Sequence, residues 1–457
     1  MRLTHVIGAI VLLLPLALPA PGGMDPAAWR VAGLAALMAL WWLTEAVPLA
    51  VTALLPLALA PLLGLGDIAA IAGPYANPLI FLFLGGFLLA LAIEKWGLHR
   101  RIAGALLRWA GTAPGRVLAA VMGSTAFLSL WISNTASAMV MAPIAAGLAA
   151  QAQEARSGTA LMLGVAFAAT IGGMGSLIGT PPNALFAAYM ADTYGIVIGF
   201  AEWAVVGVPV SLILLGLAWL VLSRLSPGLG AAPLMLEEAG RQAALSAGAR
   251  RVAIIGALTA CAWIARPLLD DLPGLGALSD AGIAMLAGVA LFLVPSGRGG
   301  ALMEWRDLRD LRWDVLILFG GGLALARLMQ ESGLSDWIGG QSAALHGWPL
   351  PVLVAGFAAI TVYLGELASN TAMAALFLPV AGATAAAMGA DPVAVLLPVA
   401  LAASIGFMLP VATPPNAIVF GQAGVTRAAM LRAGAALDVL GLVVAVGLGL
   451  TLGAAVF

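Results

Sequence analysis

Two identical tripeptides, Ser133-Asn134-Thr135 and Ser369-Asn370-Thr371, are the residues of this chain best suited to hold a small polar ligand. Each offers two hydroxyls and an amide, donors and acceptors without charge. Both lie inside apolar sequence, AFLSLWISNTASAMVMAPIA and ITVYLGELASNTAMAALFLPVA. In hydrocarbon such groups must find partners or be strongly destabilising. A second pair of motifs, Thr180-Pro181-Pro182-Asn183 and Thr413-Pro414-Pro415-Asn416, follows them at nearly the same distance. Paired prolines remove two amide donors and disfavour helix in the residue before them. The helix therefore unwinds there, freeing carbonyls near Gly179-Thr180 and Ala412-Thr413. Free carbonyls and hydroxyls at membrane depth are hard oxygen ligands, suited to a small alkali cation. The helix after each break, and the arm after each tripeptide, point N-terminal amides at the same region, and such ends attract anions.

No lysine or arginine lies in either tripeptide or either unwound segment. An anion there would be held by hydroxyls, amides, helix ends and a co-bound cation, so its binding would depend on that cation. A single Ser-Asn-Thr is as well explained by a helix cap or kink; two copies, each with its Thr-Pro-Pro-Asn, point to a site. Glu366, just before the second tripeptide, and Glu45 are intramembrane carboxylates and candidates for function. Glu45 has no matching acid and is read as a structural hydrogen-bonding group. Trp41, Trp42 and Trp203 are read as interfacial anchors.

Several classes are excluded. The net charge of -1 argues against nucleic acid as a partner. Cys261 is alone, so no disulfide forms within the chain. His5, His99 and His346 are far apart and none lies mid-span, which removes an HExxH zinc site and a Ser-His protease. Gly173-Met174-Gly175-Ser176 is packing rather than a nucleophile turn, since no histidine activates it. The chain is not read as an enzyme and needs no organic cofactor. The tip sequences of a water channel and of a glutamate-transporter-like fold are also absent.

The elements that must position these residues are helices. Hydrophobic residues make up 62% of the 457 and charged ones 9%, against about 25% charged in soluble domains. The chain is therefore expected to be an all-α polytopic membrane protein. Apolar runs suggest spans near 6–21, 29–46, 48–65, 77–96, 159–190, 203–224, 250–269, 280–295, 313–330, 393–420 and 435–457. The remaining stretches, 117–150 and 353–383, are two apolar arms around a Ser-Asn-Thr tip and fit re-entrant hairpins. That gives eleven transmembrane helices plus two hairpins. With a cytoplasmic N-terminus, all of the 20 basic residues except Arg30, Arg266 and Arg327 fall on the inner side, a strong positive-inside bias. The C-terminus then lies outside. Arg2, the apolar run Val6–Leu18 and the small residues after it resemble a signal peptide; the plainer reading is an uncleaved first helix.

The repeat is wider than its tips. Gly85-Gly86 matches Gly321-Gly322, Gly97-Leu98 matches Gly333-Leu334 and Pro143 matches Pro379, all at one offset. The equivalent spans at 77–96 and 313–330 are the fourth and the ninth, an odd step of five crossings, so the second copy is inverted and the two tips can meet near the midplane. Inverted repeats with broken helices are the architecture of a secondary transporter. The division expected is a first-helix region at 1–28, repeat one at 29–225, a cytoplasmic linker at 226–249 and repeat two at 250–457. His99–Trp109 reads as an amphipathic helix on the inner surface.

These motifs resemble those of the divalent anion/sodium symporter family, over nearly the whole chain. Supporting stretches are Trp42-Leu43-Thr44-Glu45-Ala46-Val47-Pro48, continuing into Val51-Thr52-Ala53-Leu54-Leu55-Pro56, and Ile80-Phe81-Leu82-Phe83-Leu84-Gly85-Gly86 with Ala92-Ile93-Glu94-Lys95-Trp96. The resemblance implies an inner (plasma) membrane homodimer that imports a dicarboxylate of the succinate, malate or fumarate type with sodium ions. A mobile unit of the hairpins with the spans at 159–224 and 393–457 would move as an elevator. It implies substrate binding by Ser133, Asn134, Thr135, Thr180, Pro181, Ser369, Asn370, Thr371, Thr413 and Pro414. It implies sodium binding by Ser129, Ser133, Asn134 and Gly179 at one site, and by Ala368, Ser369, Asn370 and Ala412 at the other. One position departs from the family pattern: Ser129 lies four residues before Ser133, but Gly365 lies four before Ser369, where a hydroxyl is usual. This leaves open a weaker second site, fewer sodium ions, or a sodium-independent exchanger. The family also contains sulfate and tricarboxylate carriers, so the anion stays open too.

Overall fold

The computed structural model of the chain describes residues 2–108, 113–151, 155–225, 245–269, 277–297, 299–341, 347–420, 422 and 424–457. Helix makes up 79%, and the described residues form no strand beyond one bridge between Pro295 and Ala301. In order, the helices begin with α1 (Arg2–Ala17), α2 (Pro26–Thr44), α3 (Leu49–Ala53), α4 (Leu55–Leu59), α5 (Ile68–Ala72), α6 (Pro78–Lys95) and α7 (Leu98–Leu107). The pair α8 (Pro114–Ser129) and α9 (Asn134–Gln151) precedes α10 (Ala155–Met174), α11 (Pro181–Tyr194) and α12 (Phe200–Leu225). Next come α13 (Ala247–Leu269), α14 (Asp280–Leu293), α15 (Trp313–Glu331) and α16 (Leu334–Gln341). The chain closes with the pair α17 (Leu350–Gly365) and α18 (Asn370–Ala387), then α19 (Pro392–Ala402), α20 (Pro414–Phe420) and α21 (Arg427–Val456).

Both Ser-Asn-Thr tips sit at the turn of a helical pair, as expected, with Asn134 and Asn370 opening the second arm. The runs at 159–190 and 393–420 are broken ahead of the proline pairs, also as expected; Pro181 and Pro414 occupy the first helical position after the break. A missing amide does no harm there. The run at 48–65 is broken as well, which was not expected. Pro56 is the second residue of α4, and the Leu54 N–H turns back to Val51 O at 3.1 Å. Eight helices among the described residues are long and apolar enough to cross a membrane. That is fewer than eleven, because α1, α14 and the pieces of the broken runs at 48–65 and 393–420 are each too short alone. Conversely α18, expected only as a hairpin arm, is long enough.

The repeated Gly-Gly motif has a packing reason. A side chain at Gly85 would collide with the Ala284 backbone of α14, and one at Gly321 with the Ala53 backbone of α3. Each long helix thus lets its backbone touch that of a helix from the other half. At the centre, α10 packs on α8, α9 and α12, while α19 packs on α17, α18 and α21. The halves then interlock: α20 packs on α9 and α10, and α11 packs on α18 and α19.

Three expectations change. Trp42 and Trp203 are fully buried, donating to Leu49 O at 3.1 Å and Met174 O at 3.0 Å, so they are core donors and not interfacial anchors. Glu45 is exposed at the end of α2 in the left-handed region (φ 46°) and is not a buried intramembrane carboxylate. The apolar side of α7, with Leu98, Ala103 and Leu107, is buried, and the helix packs against α8. Trp109 and most of the linker, 226–244, lie outside the described residues.

Candidate functional site

The first tip is built around Asn134. One end of its amide lies 2.6 Å from Ser129 Oγ, 3.1 Å from Ala169 O and 3.3 Å from Gly179 O. Ser129 Oγ also donates to Ala169 O at 2.6 Å. Every neighbour of that amide end is an oxygen. Two arrangements satisfy this: the amide nitrogen turned inward to donate, or the amide oxygen turned inward with a cation shared among the oxygens. The residues expected to bind the first sodium, Ser129, Asn134 and Gly179, are therefore brought together, and Ala169 O joins them.

Close approach requires small neighbours. A side chain at Gly173 would collide with Asn134 Oδ1 and come within 3.0 Å of Gly179 O. Ser133 Oγ accepts from the Ala136 N–H at 3.2 Å and so caps α9. Thr135 is half-buried in the first turn of α9. Thr180 is extended (φ -143°, ψ 142°) and buried, and makes no side-chain capping bond to α11.

The unwound segment is held by the last residue of the Thr-Pro-Pro-Asn motif. Asn183 Nδ2 lies 3.2 Å from Gly173 O, 3.3 Å from Met174 O and 2.8 Å from Ser176 O. It takes up carbonyls that the break has orphaned. Ser211 Oγ donates to Ile171 O at 2.9 Å and Trp203 Nε1 to Met174 O. In the second half Asn416 Nδ2 does the same work, 3.1 Å from Gly406 O and 2.9 Å from Leu409 O. Thr413 Oγ1 accepts from the Asn416 N–H at 3.4 Å.

The second tip is looser and more acidic. Asn370 Oδ1 is buried without a hydrogen-bond partner. A Cβ built on Gly406 would lie 3.3 Å from Ala412 Cβ, 3.7 Å from Glu366 Oε1 and 3.8 Å from Asn370 Oδ1, so these groups surround one point. Ser369 is the N-cap of α18 but makes no side-chain capping bond, and Thr371 is buried in the first turn. Ala368 lies in the turn, its N–H on Gly365 O at 3.3 Å. Pro414 is exposed and Pro181 half-buried. Glu366 is buried and accepts the Met408 N–H at 2.9 Å and the Leu409 N–H at 2.8 Å.

Sequence reasoning missed Asp438. It is fully buried on α21, and its Oδ1 accepts the Phe407 N–H at 3.1 Å. An acid alone in a long apolar helix was the available signal. Asn183, Asn416, Ala169 and Gly173 were also not singled out as supports.

The sodium:sulfate symporter transmembrane region model matches residues 2–457. Two relatives bear the name sodium-dependent dicarboxylate transporter SdcS. The Staphylococcus saprophyticus protein is 36% identical, over 96% of this chain and 89% of its own length. That of Staphylococcus aureus strain USA300 is 35% identical, over 94% and 86%. In fold, the chain is similar to the YdaH transporter of Alcanivorax borkumensis (TM-score 0.63, 18% identity, 92% of this chain and 98% of that one). It is also similar to MtrF of Neisseria gonorrhoeae (TM-score 0.60, 13% identity, 97% of each).

Proposed function

Because the chain belongs to the sodium:sulfate symporter family of membrane transporters, we propose that it imports a C4-dicarboxylate together with sodium ions. The observation that carries this is the set of neutral oxygens from Ser129, Ala169 and Gly179 gathered at the Asn134 amide, hard donors of the kind an alkali cation prefers. The SdcS relatives, named as sodium-dependent dicarboxylate transporters, support the same choice of ion and anion. Ser133, Asn134, Thr135, Thr180 and Pro181 from one half, and Ser369, Asn370, Thr371, Thr413 and Pro414 from the other, would line the anion site. Hydroxyls and the N-terminal amides of α9, α11, α18 and α20 would hold the carboxylates. Ser129, Ser133, Asn134 and Gly179 would ligate the first sodium; Ala368, Ser369, Asn370 and Ala412 the second.

The proposed cycle is an elevator. The halves form inverted repeats, 29–225 and 250–457, whose hairpins are re-entrant, giving eleven crossings in a plasma-membrane homodimer with its N-terminus inside. The hairpins with α10–α12 and α19–α21 move against the remaining helices. Interlocking of α11 with α18, and of α9 with α20, supports motion of these elements as one body. Uptake of labelled succinate into proteoliposomes, with and without an inward sodium gradient and against unlabelled malate, fumarate, citrate and sulfate, tests the assignment. Sodium-stimulated uptake inhibited by C4 competitors is expected. Sodium-independent exchange against internal succinate, or inhibition by sulfate alone, would refute it.

A further inference from the structure

The first turn of α12 stands between the first tip and two helices of the other half. Phe200 opens α12 and is buried. On one side its ring stacks on that of Trp131, with centroids 6.2 Å apart and planes 26° apart. On the other side it stacks on Trp263 of α13, at 4.7 Å and 21°. Trp131 lies in the turn between α8 and α9, two residues before Ser133 and three before Asn134. Trp263 is fully buried. Three stacked rings thus run from the tip, through α12, to α13.

Polar contacts fix the far end of this column. Trp263 Nε1 donates to Asp280 O at 3.0 Å, and the Phe200 N–H to Asp280 Oδ2 at 2.7 Å. Arg266, three residues along α13 from Trp263, pairs with Asp280 of α14 at 2.8 Å and with Glu202 of α12 at 3.1 Å. A Cβ on Gly199 would collide with the Glu202 and Asp280 carboxylates and the Arg266 guanidinium, so glycine lets the chain enter α12 beside them. The same helix backs the break, since Trp203 donates to Met174 O and Ser211 to Ile171 O. Near the tip, Ser176 Oγ donates at 2.6 Å to the carbonyl of Leu130, the residue before Trp131. The turn that carries Asn134 is therefore held from two directions, by a hydrogen bond to its backbone and by the ring of Phe200. The second tip differs: Leu367 stands at the position equivalent to Trp131 and is 67% exposed.

We propose that Trp131, Phe200 and Trp263 are positioning residues for the first cation site, an aromatic clamp that seats the turn carrying Asn134 against α13 and α14. The inference rests on the sodium-coupled reading and deepens it. Asn134 shares an ion with Ser129, Ala169 and Gly179 only while the turn keeps its amide among those oxygens, the nearest at 2.6 Å. A turn without the stack still has its bond from Ser176 but loses the side-chain anchor closest to Asn134. Trp263 and Asp280 lie on helices outside the moving unit of the proposed cycle, so the clamp fastens the first site to the part that stays still.

The test is thermal stabilisation of the purified protein by sodium chloride against choline chloride at constant ionic strength. Trp131→Leu removes the ring at the tip and keeps apolar bulk. It should raise the sodium concentration for half-maximal stabilisation about three- to tenfold, the worth of one aromatic pair. Trp131→Phe keeps a ring against Phe200 and should stay within about twofold of the wild type. Trp263→Leu should raise the midpoint as Trp131→Leu does, although Trp263 lies one ring beyond the tip. The double variant should be no worse than the worse single one, because the rings act as a unit. Should Trp263→Leu fold poorly, the two Trp131 variants decide, since Trp131 is half-buried in a turn. An equal shift in Trp131→Phe would overturn the inference, as would shifts that add in the double variant. A lower melting temperature in choline with the sodium midpoint unchanged would make the stack a packing feature alone and overturn it too. A wild type that sodium does not stabilise would overturn this inference and the proposed function together; a wild type that responds beside a Trp131→Leu variant with the same midpoint overturns this inference alone.

Discussion

Gly173→Ala should weaken the first cation site while the matched change in the second half, Gly406→Ala, does much less. At Gly173 the added methyl collides with Asn134 Oδ1, comes within 3.1 Å of Asn134 Cγ and 3.0 Å of Gly179 O. Ser129 and Ala169 bound the other side of that amide, so it cannot retreat without leaving the oxygen cluster. Overpacking of this kind costs about 1–3 kcal/mol, which as a binding penalty is a factor of roughly 5 to 150. At Gly406 the same methyl meets Ala412 Cβ at 3.3 Å and nothing else nearer than 3.7 Å, so a shift of a few tenths of an ångström accommodates it. Sodium titration of initial succinate uptake should show a raised midpoint for Gly173→Ala at unchanged expression. Gly123→Ala, on α8 where a Cβ meets nothing within 4 Å, serves as the neutral control. A wild-type sodium midpoint in Gly173→Ala, or an equal defect in Gly406→Ala, would refute the reasoning.

The carbonyl clamps predict an order of severity: Asn183→Asp should lower the thermal midpoint more than Asn183→Ala, because a carboxylate faces three carbonyls that need a donor. Asn416→Asp and Asn416→Ala should rank the same way. At the junction of α12, α13 and α14, Arg266 pairs with Asp280 at 2.8 Å and Glu202 at 3.1 Å. Arg266→Gln should destabilise by about 3–5 kcal/mol by stranding the buried Asp280 beside half-buried Glu202, and Glu202→Gln in the same chain should recover part of it, read as the thermal midpoint in detergent. At the surface, partial burial alone would raise the Asp307 carboxyl, but hydrogen bonds from Lys95 and the Glu304 N–H, with the Lys95 and Arg306 charges, hold it below the usual aspartate range. Its contribution is therefore present above the unfolded pKa and lost as pH falls through the folded one. Because the pair is partly exposed, Asp307→Asn should cost no more than about 1 kcal/mol near neutral pH, and the difference from wild type should vanish in acid; a difference that persists there would sink this account.

What was legible in the sequence were features whose cause is local. Pro181-Pro182 and Pro414-Pro415 break a helix wherever they stand, and Ser before Asn134 or Asn370 starts one. The paired Gly-Gly motifs were legible as marks of the repeat, but not as points of contact with the backbones of Ala284 and Ala53. Features whose cause is distant were misjudged or missed. Trp42 and Trp203 have the amphipathic rings of interfacial anchors, yet carbonyls at Leu49 and Met174 draw them inside. Asp438 passed unremarked because the group that needs its oxygen, the Phe407 N–H, lies on a distant stretch of the chain. The break at Leu54 depends on Pro56, one of three prolines in the run at 48–65. Apolar length also miscounts helices where a run divides, as 393–420 does into α19 and α20, each too short to cross alone.

On the proposed function, charge decides which half makes anion binding conditional on sodium. A dicarboxylate would bring two negative charges into a region whose tips and unwound segments contain no lysine or arginine. The first half presents it with hydroxyls, an amide and helix ends, which attract an anion weakly but do not repel it. The second half adds Asn370, whose Oδ1 is buried without a hydrogen-bond partner among the described residues and is an acceptor that an anion cannot use. A sodium ion beside that oxygen would turn it into part of a cation site and offset the substrate's charge in a medium that screens it poorly. The second half is then the one that enforces coupling, and the first sets the geometry of the bound carboxylate.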